Sequence, residues 1–233
     1  MASSPIHVGA CSGFLHMQWI SHVIDYYARR AAEYEKVYAK PERQDDLKIL
    51  RDQCRDLFNG RDLLEVSCGT GYWTECFAAT ARSILATDIN PETLEVAQAK
   101  PWEPGRIEFA VADSFSLPDF GRSFDAGFAG FWWSHVPRER LQDFLTGFHS
   151  KLRPGATVAF IDNRYVEGSS TPLHRRDGEG NTYQIRELAD GSRHEVMKNF
   201  PDEGELTSCL APFADDLKVG FLDYFWMAVY RLR

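Results

Sequence analysis

Residues 63–74 read Leu63-Leu64-Glu65-Val66-Ser67-Cys68-Gly69-Thr70-Gly71-Tyr72-Trp73-Thr74, and this stretch decides the fold. Leu63, Leu64 and Val66 make a short apolar run, the length of one buried strand in a parallel sheet. Gly69 and Gly71 break that run, and Tyr72 to Arg82 is expected to open a helix. Strand, tight turn and helix start together form a ligand-binding corner. Glycine lets the backbone approach a ligand where a Cβ would clash. The first amides of a helix, which lack intrahelical partners, offer donors to electron-rich groups.

Two ligand classes use such a corner. A dinucleotide fingerprint has G-x-G-x-x-G, with the third glycine packing helix against strand. Here Thr74 occupies that third position, and the strand carries an acid, Glu65, ahead of Ser67-x-Gly69-x-Gly71. This pattern resembles motif I of the class I S-adenosylmethionine (SAM)-dependent methyltransferases, D/E-x-G-x-G-x-G, with Ser67 in place of the first glycine. An NAD-dependent enzyme is the competing reading of the turn.

The rest of the chain extends the comparison. Ser83 to Asp88 is a second strand ending in an acid, and Asn90-Pro91-Glu92 starts a helix with proline in its first turn. A carboxylate at that tip is placed to accept hydrogen bonds from both hydroxyls of a ribose; NAD would use it equally. Arg106 to Ala112 is a third strand followed by Asp113-Ser114, and Phe124 to Phe131 is a fourth, leading to Trp132-Trp133-Ser134-His135. Arg138 to Leu152 reads as an amphipathic helix broken by Arg153-Pro154-Gly155. Ala156 to Ile161 is a fifth strand ending at Asp162-Asn163-Arg164. Leu152-x-Pro154-Gly155-x-x-Val158-x-Phe160-x-Asp162 resembles the same family's segment around that strand.

Upstream, Phe14 to Ala39 is helical in its apolar spacing, and Glu42 to Phe58 forms a second helix closed by Asn59-Gly60. Tyr26-Tyr27-Ala28-Arg29-Arg30-Ala31-Ala32-Glu33-Tyr34 resembles the segment that caps the amino-acid end of SAM in many small-molecule methyltransferases. Downstream, Thr182 to Leu188 and Ser192 to Phe200 alternate around Ala189-Asp190-Gly191, a hairpin signature. This insertion is expected to be a substrate lid, with dimer contact as the alternative. Asp202 to Ala211 reads as a helix, and Leu217 to Arg231 as two closing antiparallel strands.

The resemblance implies an α/β, Rossmann-like class I methyltransferase fold: a seven-stranded, mostly parallel sheet of order 3-2-1-4-5-7-6 with helices on both faces. Residues 1–60 would be a helical cap and 61–233 the SAM-binding core, with the lid at 165–201. It assigns SAM to Glu65, Ser67, Cys68, Gly69, Gly71 and Trp73, to Asp88 and Ile89, to Asp113 and Ser114, and to Phe131, with Tyr27 and Arg30 from the cap. The fourth and fifth strand ends should face substrate, since open parallel sheets bind ligands beyond their carboxyl ends. His135 is the first candidate base, or a substrate-positioning group, because histidine titrates near neutrality; Asp162 is the second. Trp132 and Trp133 are candidates for an aromatic substrate wall, one of the pair being expected in the core, together with Asn163 and Arg164.

Composition limits the alternatives. With 233 residues the chain suits one domain with an elaboration. A formal net charge of −8 argues against sequence-blind binding to a nucleic-acid backbone. The five cysteines form no CxxC pair, and with no signal peptide evident a reduced, cytoplasmic protein is expected. No run is long and apolar enough to span a membrane, and the histidines and cysteines lack metal-ligand spacing. His174-Arg175-Arg176-Asp177 lacks the rest of a kinase signature, and His194-Glu195 lacks the second histidine of a zincin. The expected function is methyl transfer from SAM to an O, N, S or C nucleophile of a small molecule, with a homodimer possible. An RNA or protein methyltransferase, or a non-catalytic nucleoside-binding protein of the same fold, are the alternatives.

Overall fold

The computed structural model describes residues 26, 27, 30, 35 and 38–233, so most of the helix expected over 14–39 lies outside the described residues. Tyr26, Tyr27 and Arg30 are helical, and a 3-10 turn at Pro41–Arg43 leads into helix α1, Gln44–Leu57. The remaining helices are α2 (Thr74–Phe77), α3 (Pro91–Gln98), α4 (Leu141–His149) and α5 (Glu203–Leu210). The strands are β1 (Asp62–Val66), β2 (Ser83–Asp88), β3 (Ile107–Val111), β4 (Phe124–Gly130), β5 (Leu152–Asn163), β6 (Arg175–Arg176), β7 (Thr182–Glu187), β8 (Arg193–Met197), β9 (Ala214–Phe221) and β10 (Phe225–Leu232).

Seven strands form the main sheet in the order β3-β2-β1-β4-β5-β10-β9. This is the order expected from the sequence, with β9 and β10 as its sixth and seventh strands. The first five run parallel, and β10 lies antiparallel to both β5 and β9. Side chains alternate across the sheet because successive Cβ atoms point to opposite faces. Leu64, Val158, Phe160, Trp226 and Tyr230 join one core with Phe144 and Phe148 of α4 and Leu206 of α5. Leu63, Ala159, Ile161, Phe225 and Met227 join the other, with Leu47, Leu50 and Cys54 of α1 and Phe77 of α2. Both faces are covered, which is why Leu63-Leu64 of β1 and Ile84-Leu85-Ala86 of β2 are apolar at successive positions rather than alternating.

Three local differences from the sequence reading have identifiable causes. α2 stops at Phe77 instead of continuing to Arg82. The Thr80 carbonyl accepts from Gly60 N at 2.8 Å, and Arg82 N donates to Arg61 O at 2.9 Å. Groups that would prolong the helix are therefore bonded to the loop before β1. Arg153-Pro154-Gly155 does not end an element but lies within β5 as a bulge. The β4–β5 pairing jumps from Phe124↔Leu152 to Ala126↔Thr157 there, where proline has no amide to donate. At α5 the helix begins one residue later than expected because Asp202 is its cap: it accepts from Glu205 N, and the Glu205 side chain accepts from Asp202 N.

The insertion between β5 and α5 contains the expected hairpin, β7 paired with β8, and gains a third, short strand from β6. No helix among the described residues is long and apolar enough to cross a membrane.

Candidate functional site

The corner after β1 is held by its own backbone. Ser67, Gly69 and Gly71 have φ of 55°, 56° and 77°. Glycine adopts that left-handed region freely, whereas a serine there is strained. Cys68 N donates to Thr87 O at 2.9 Å and Gly71 N to Cys68 O at 3.0 Å, fastening the turn to β2 and to itself. The Asp88 carboxylate sits at the tip of β2, accepting from Gly69 N at 2.8 Å and Asn90 N at 2.9 Å. Burial pushes the Asp88 carboxyl above its ordinary value, against the pull of those amides.

Glu65 lies beneath this surface. It is buried and receives the Thr74 hydroxyl at 2.6 Å. Burial raises it to about 8, so it keeps its proton near neutrality. The threonine in the third-glycine position thus has a partner inside the turn. Trp73 is also interior: its ring stacks on Phe131, with centroids 5.9 Å apart, behind the glycines. Cys68 is buried, with its thiol pushed well up by burial. Asp113 spends its carboxylate locally, accepting from Phe115 N and Ser116 Oγ, while Ser114 is buried and Ile89 half-buried. The segment before β1 crosses this corner: Thr70 donates to Glu35 at 2.9 Å, and Tyr38 stacks on Tyr72 with centroids 3.7 Å apart.

These residues suit a nucleoside with an aliphatic acid end. Asp88 presents a buried carboxylate at the strand tip to accept from a diol. The left-handed turn brings bare backbone alongside it, and Ser114 stands at the tip of the neighbouring strand.

Beyond the carboxyl ends of β4 and β5 lies a cavity of about 120 Å³, walled by Phe131, His135 and Asn163 on one side and by the hairpin residues Gln184, Arg186, Val196, Lys198 and Phe200 on the other. Phe131 holds φ at 60°, an outlier for a bulky residue, with its amide donating to Ile161 O at 2.7 Å. Such strain persists only where surrounding structure enforces it, and here it turns the ring toward the cavity. The His135 imidazole meets the Tyr27 hydroxyl at 2.8 Å through Nε2. Burial, reinforced by the positive charge of Lys198, lowers His135 to about 3, so the ring is neutral at physiological pH. Arg30, also at the wall, donates to Tyr26 Oη at 2.8 Å.

Several sequence candidates lie elsewhere. Neither Trp132 nor Trp133 lines this cavity. Trp133 is buried against Phe160 and Trp226, and Trp132 packs on Phe115 and Phe144, because the 3-10 turn Trp133–His135 sends both indoles to the α4 side. Asp162 is not placed as a base: its carboxylate is fully buried, accepts from Ser134 N at 2.8 Å and pairs with Lys198 at 3.0 Å. Burial alone would raise it, but the Lys198 ammonium brings it net below its ordinary value. Arg164 donates to Leu222 O and covers the Phe221 ring, bracing the β9–β10 turn rather than facing substrate. Asn163 does line the cavity, accepting from Arg43 Nη1 at 3.2 Å.

Residues the sequence reading did not single out are Lys40, Arg43, Ser169, Arg186 and Lys198. One signal was available. Gln184 and Arg186 on β7, and Val196, Lys198 and Phe200 around β8, recur at every second position and share the cavity face. A buried Gln and Lys on a hairpin's inner face mark a polar lining rather than a core.

The comparisons with known proteins agree with this corner. Residues 63–155 match the family model described as a methyltransferase domain. A demethylmenaquinone methyltransferase from Clavibacter sepedonicus is 30% identical over 119 residues, covering 50% of this chain and 46% of that protein. The chain spans about half the length of that curated relative. Two solved structures superpose over nearly the whole fold. The complex of DhpI with S-adenosylhomocysteine (SAH) has a TM-score of 0.75 and 28% identity, covering 92% of this chain and 97% of that one. The complex of DhpI with SAM and HEP has a TM-score of 0.75 and 29% identity, covering 91% and 96%. In the matched domain and in the fold over nearly its whole length, the chain resembles class I SAM-dependent methyltransferases.

Proposed function

We propose that this protein transfers a methyl group from SAM to a small molecule held in the cavity between the β4 and β5 tips and the inserted hairpin. The observation that carries the reading is the Asp88 carboxylate at the tip of β2, 2.8 Å from the Gly69 amide of a left-handed turn. SAM supplies a methyl group activated by its sulfonium. The protein's part is alignment and exclusion of water.

Asp88 would hold the ribose hydroxyls, the Ser67–Gly71 turn would lie along the amino-acid end, and Asp113 with Ser114 would border the adenine. Tyr27, Arg30 and Phe131 would separate this site from the acceptor cavity. The hairpin β7–β8 acts as a substrate lid, since Arg186 and Lys198 from it face His135 and Asn163 across the cavity. His135 positions the acceptor through the Tyr27–His135 pair. A ring lowered to about 3 is a weak acceptor of protons at neutral pH. Asp162 acts through Lys198, fixing the ammonium at the wall. DhpI, which resembles this chain in fold and sequence, has been captured with both SAM and SAH, which supports the cofactor assignment.

Two measurements test this. Calorimetric titration of SAH against the chain should give one site. Labelled SAM in an extract should put methyl into small metabolites; label appearing only in protein or RNA would overturn the small-molecule reading.

A further inference from the structure

His135 reaches the cavity from a turn whose own backbone holds it only in part. Around the 3-10 turn Trp133–His135, His135 N donates to Trp132 O at 2.9 Å and Val136 N to Trp133 O at 3.1 Å. The remaining polar groups of its neighbours Ser134 and Val136 are taken by other segments. Ser134 N donates to the Asp162 carboxylate of β5 at 2.8 Å, and Ser134 Oγ accepts from Lys198 Nζ at 2.5 Å. Asn199, just past β8, takes the carbonyls on either side of the histidine. Its backbone N donates to Ser134 O at 2.8 Å, and its Nδ2 to Val136 O at 3.1 Å.

Asn199 is only 3% exposed, and both ends of its amide are used. Oδ1 accepts from Thr182 N at 2.9 Å, and Nδ2 also reaches Asn181 Oδ1 at 3.1 Å. Asn181, just ahead of β7 and likewise buried, accepts in turn from Arg138 N at 2.8 Å. An asparagine side chain offers one acceptor oxygen and two donor hydrogens. Here they join both feet of the hairpin to the chain on both sides of His135. Burying such a group is costly unless it is partnered, and when fully partnered it selects one arrangement. A hairpin could be fastened to the body of the fold at many points. These bonds instead converge on the residues flanking one imidazole.

We propose that Asn199 is a positioning residue: by gripping the Ser134 and Val136 carbonyls it holds the His135 imidazole against Tyr27 at the cavity wall. Asn181 and Lys198 act with it, the first seating the Asn199 amide and the second seating Ser134. The inserted hairpin therefore does more than cover the acceptor, because its base sets a group that faces the acceptor. What His135 contributes to methyl transfer rests on the function proposed above; the placement of its ring does not.

The test reads the His135 ring by NMR in the full chain, its signals assigned with His135→Asn. Tyr27, Asp162 of β5, Arg186 of β7 and Lys198 all act on this ring, and burial with Lys198 lowers it to about 3. In the unaltered protein it should show no titration between about pH 5 and 8. Asn199→Ala should move the ring signals and bring in a titration toward the ordinary value near 6.5. With labelled SAM and the small-metabolite fraction of an extract, KM for that fraction should rise several-fold while kcat changes less. Ser134→Ala, which removes only the Lys198 contact, should move the same signals in the same direction by less, and it decides the matter where the Asn199 variant does not fold. Arg138→Gln is the control: it breaks the Glu205 and Gly180 contacts at the hairpin's foot without touching Ser134 or Val136. It should leave the His135 signals in place even if the melting temperature falls. Signals unmoved in the Asn199 and Ser134 variants, or moved as far by Arg138→Gln, would overturn the inference. SAH titrated against the unaltered chain tests the methyltransferase reading separately. A ring that moves with no SAH bound sinks only the cofactor, and SAH bound with an unmoved ring sinks only the placement.

Discussion

The Lys198 ammonium lies 3.0 Å from the Asp162 carboxylate with both side chains essentially withdrawn from solvent, joining the inserted hairpin to the end of β5. The Ser134 hydroxyl, 2.5 Å from Lys198 Nζ, completes a link among three separate segments. Removing one partner leaves the other buried and uncompensated, a loss of about 3–5 kcal/mol. Lys198→Met should therefore lower stability by that order in denaturant titration. Lys198→Met combined with Asp162→Asn should recover much of it, and an equal loss in the double variant would refute the pairing as the cause.

Asp88 carries the cofactor assignment. Asp88→Ala should weaken SAH by about 1.5–3 kcal/mol, the worth of hydrogen bonds to a charged group. A change under about 0.5 kcal/mol, measured by calorimetry on a folded variant, would count against the ribose role. Burial raises the Asp88 carboxyl, and hydrogen bonds from a diol favour its ionised form, so SAH affinity should fall as acid protonates it.

Glu65 gives a pH signature. Its folded value is raised to about 8 from an ordinary 4.5, so the folded state holds a proton that the unfolded chain releases between those values. The stabilisation is complete below about 4.5 and is lost as pH rises through about 8, at up to about 1.4 kcal/mol per pH unit. Glu65→Gln cannot release that proton and can still accept from Thr74. Its stability should stay flat over this interval in thermal melts, and a wild-type curve of the same shape would contradict the buried, protonated carboxyl.

His135 predicts a flat segment in the rate profile. With its imidazole lowered to about 3, it stays neutral through the range where an ordinary histidine titrates. Methyl transfer should then show no limb near pH 6.5 assignable to His135, while Tyr27→Phe, which breaks the 2.8 Å contact, should alter KM more than kcat. A limb near 6.5 that disappears in His135→Asn would restore a general-base role.

Ser67 is a strained position. Its φ of 55° costs an L-residue about 1–2 kcal/mol, whereas glycine gives up about 0.5–1 kcal/mol of backbone freedom on folding. Ser67→Gly should leave stability unchanged or raise it by up to about 1 kcal/mol, and Ser67→Val should lower it. A destabilised glycine variant would mean that the serine side chain makes a contribution larger than its backbone strain.

Much of the architecture was legible because its signals are short-range. The apolar run Leu63–Val66, the glycines after it and the acid at Asp88 each encode a local element. Their order along the chain then restricts the sheet to a few topologies. Element ends were less legible. α2 stops at Phe77 because the Gly60 and Arg61 backbone compete for the groups a longer helix would use, and no local pattern records that competition.

The substrate side shows the same division more sharply. Trp132 and Trp133 attracted a binding role from their position after β4, but a single 3-10 turn directs both away from the cavity. His135, two residues beyond Trp133, lines it. Which side of a turn a residue faces depends on a few backbone angles that the types of neighbouring residues do not specify.

By itself the sequence determined the sheet, the ligand-binding turn and the acid beside it, since periodicity and turn chemistry act over a few residues. The tertiary structure alone decided that Lys40, Arg43, Arg186 and Lys198 share one cavity, that Asp162 serves Lys198 and that Glu65 lies buried under the turn. Those residues are far apart along the chain, and electrostatic energy depends on separation and burial in space, quantities that exist only once the chain has folded.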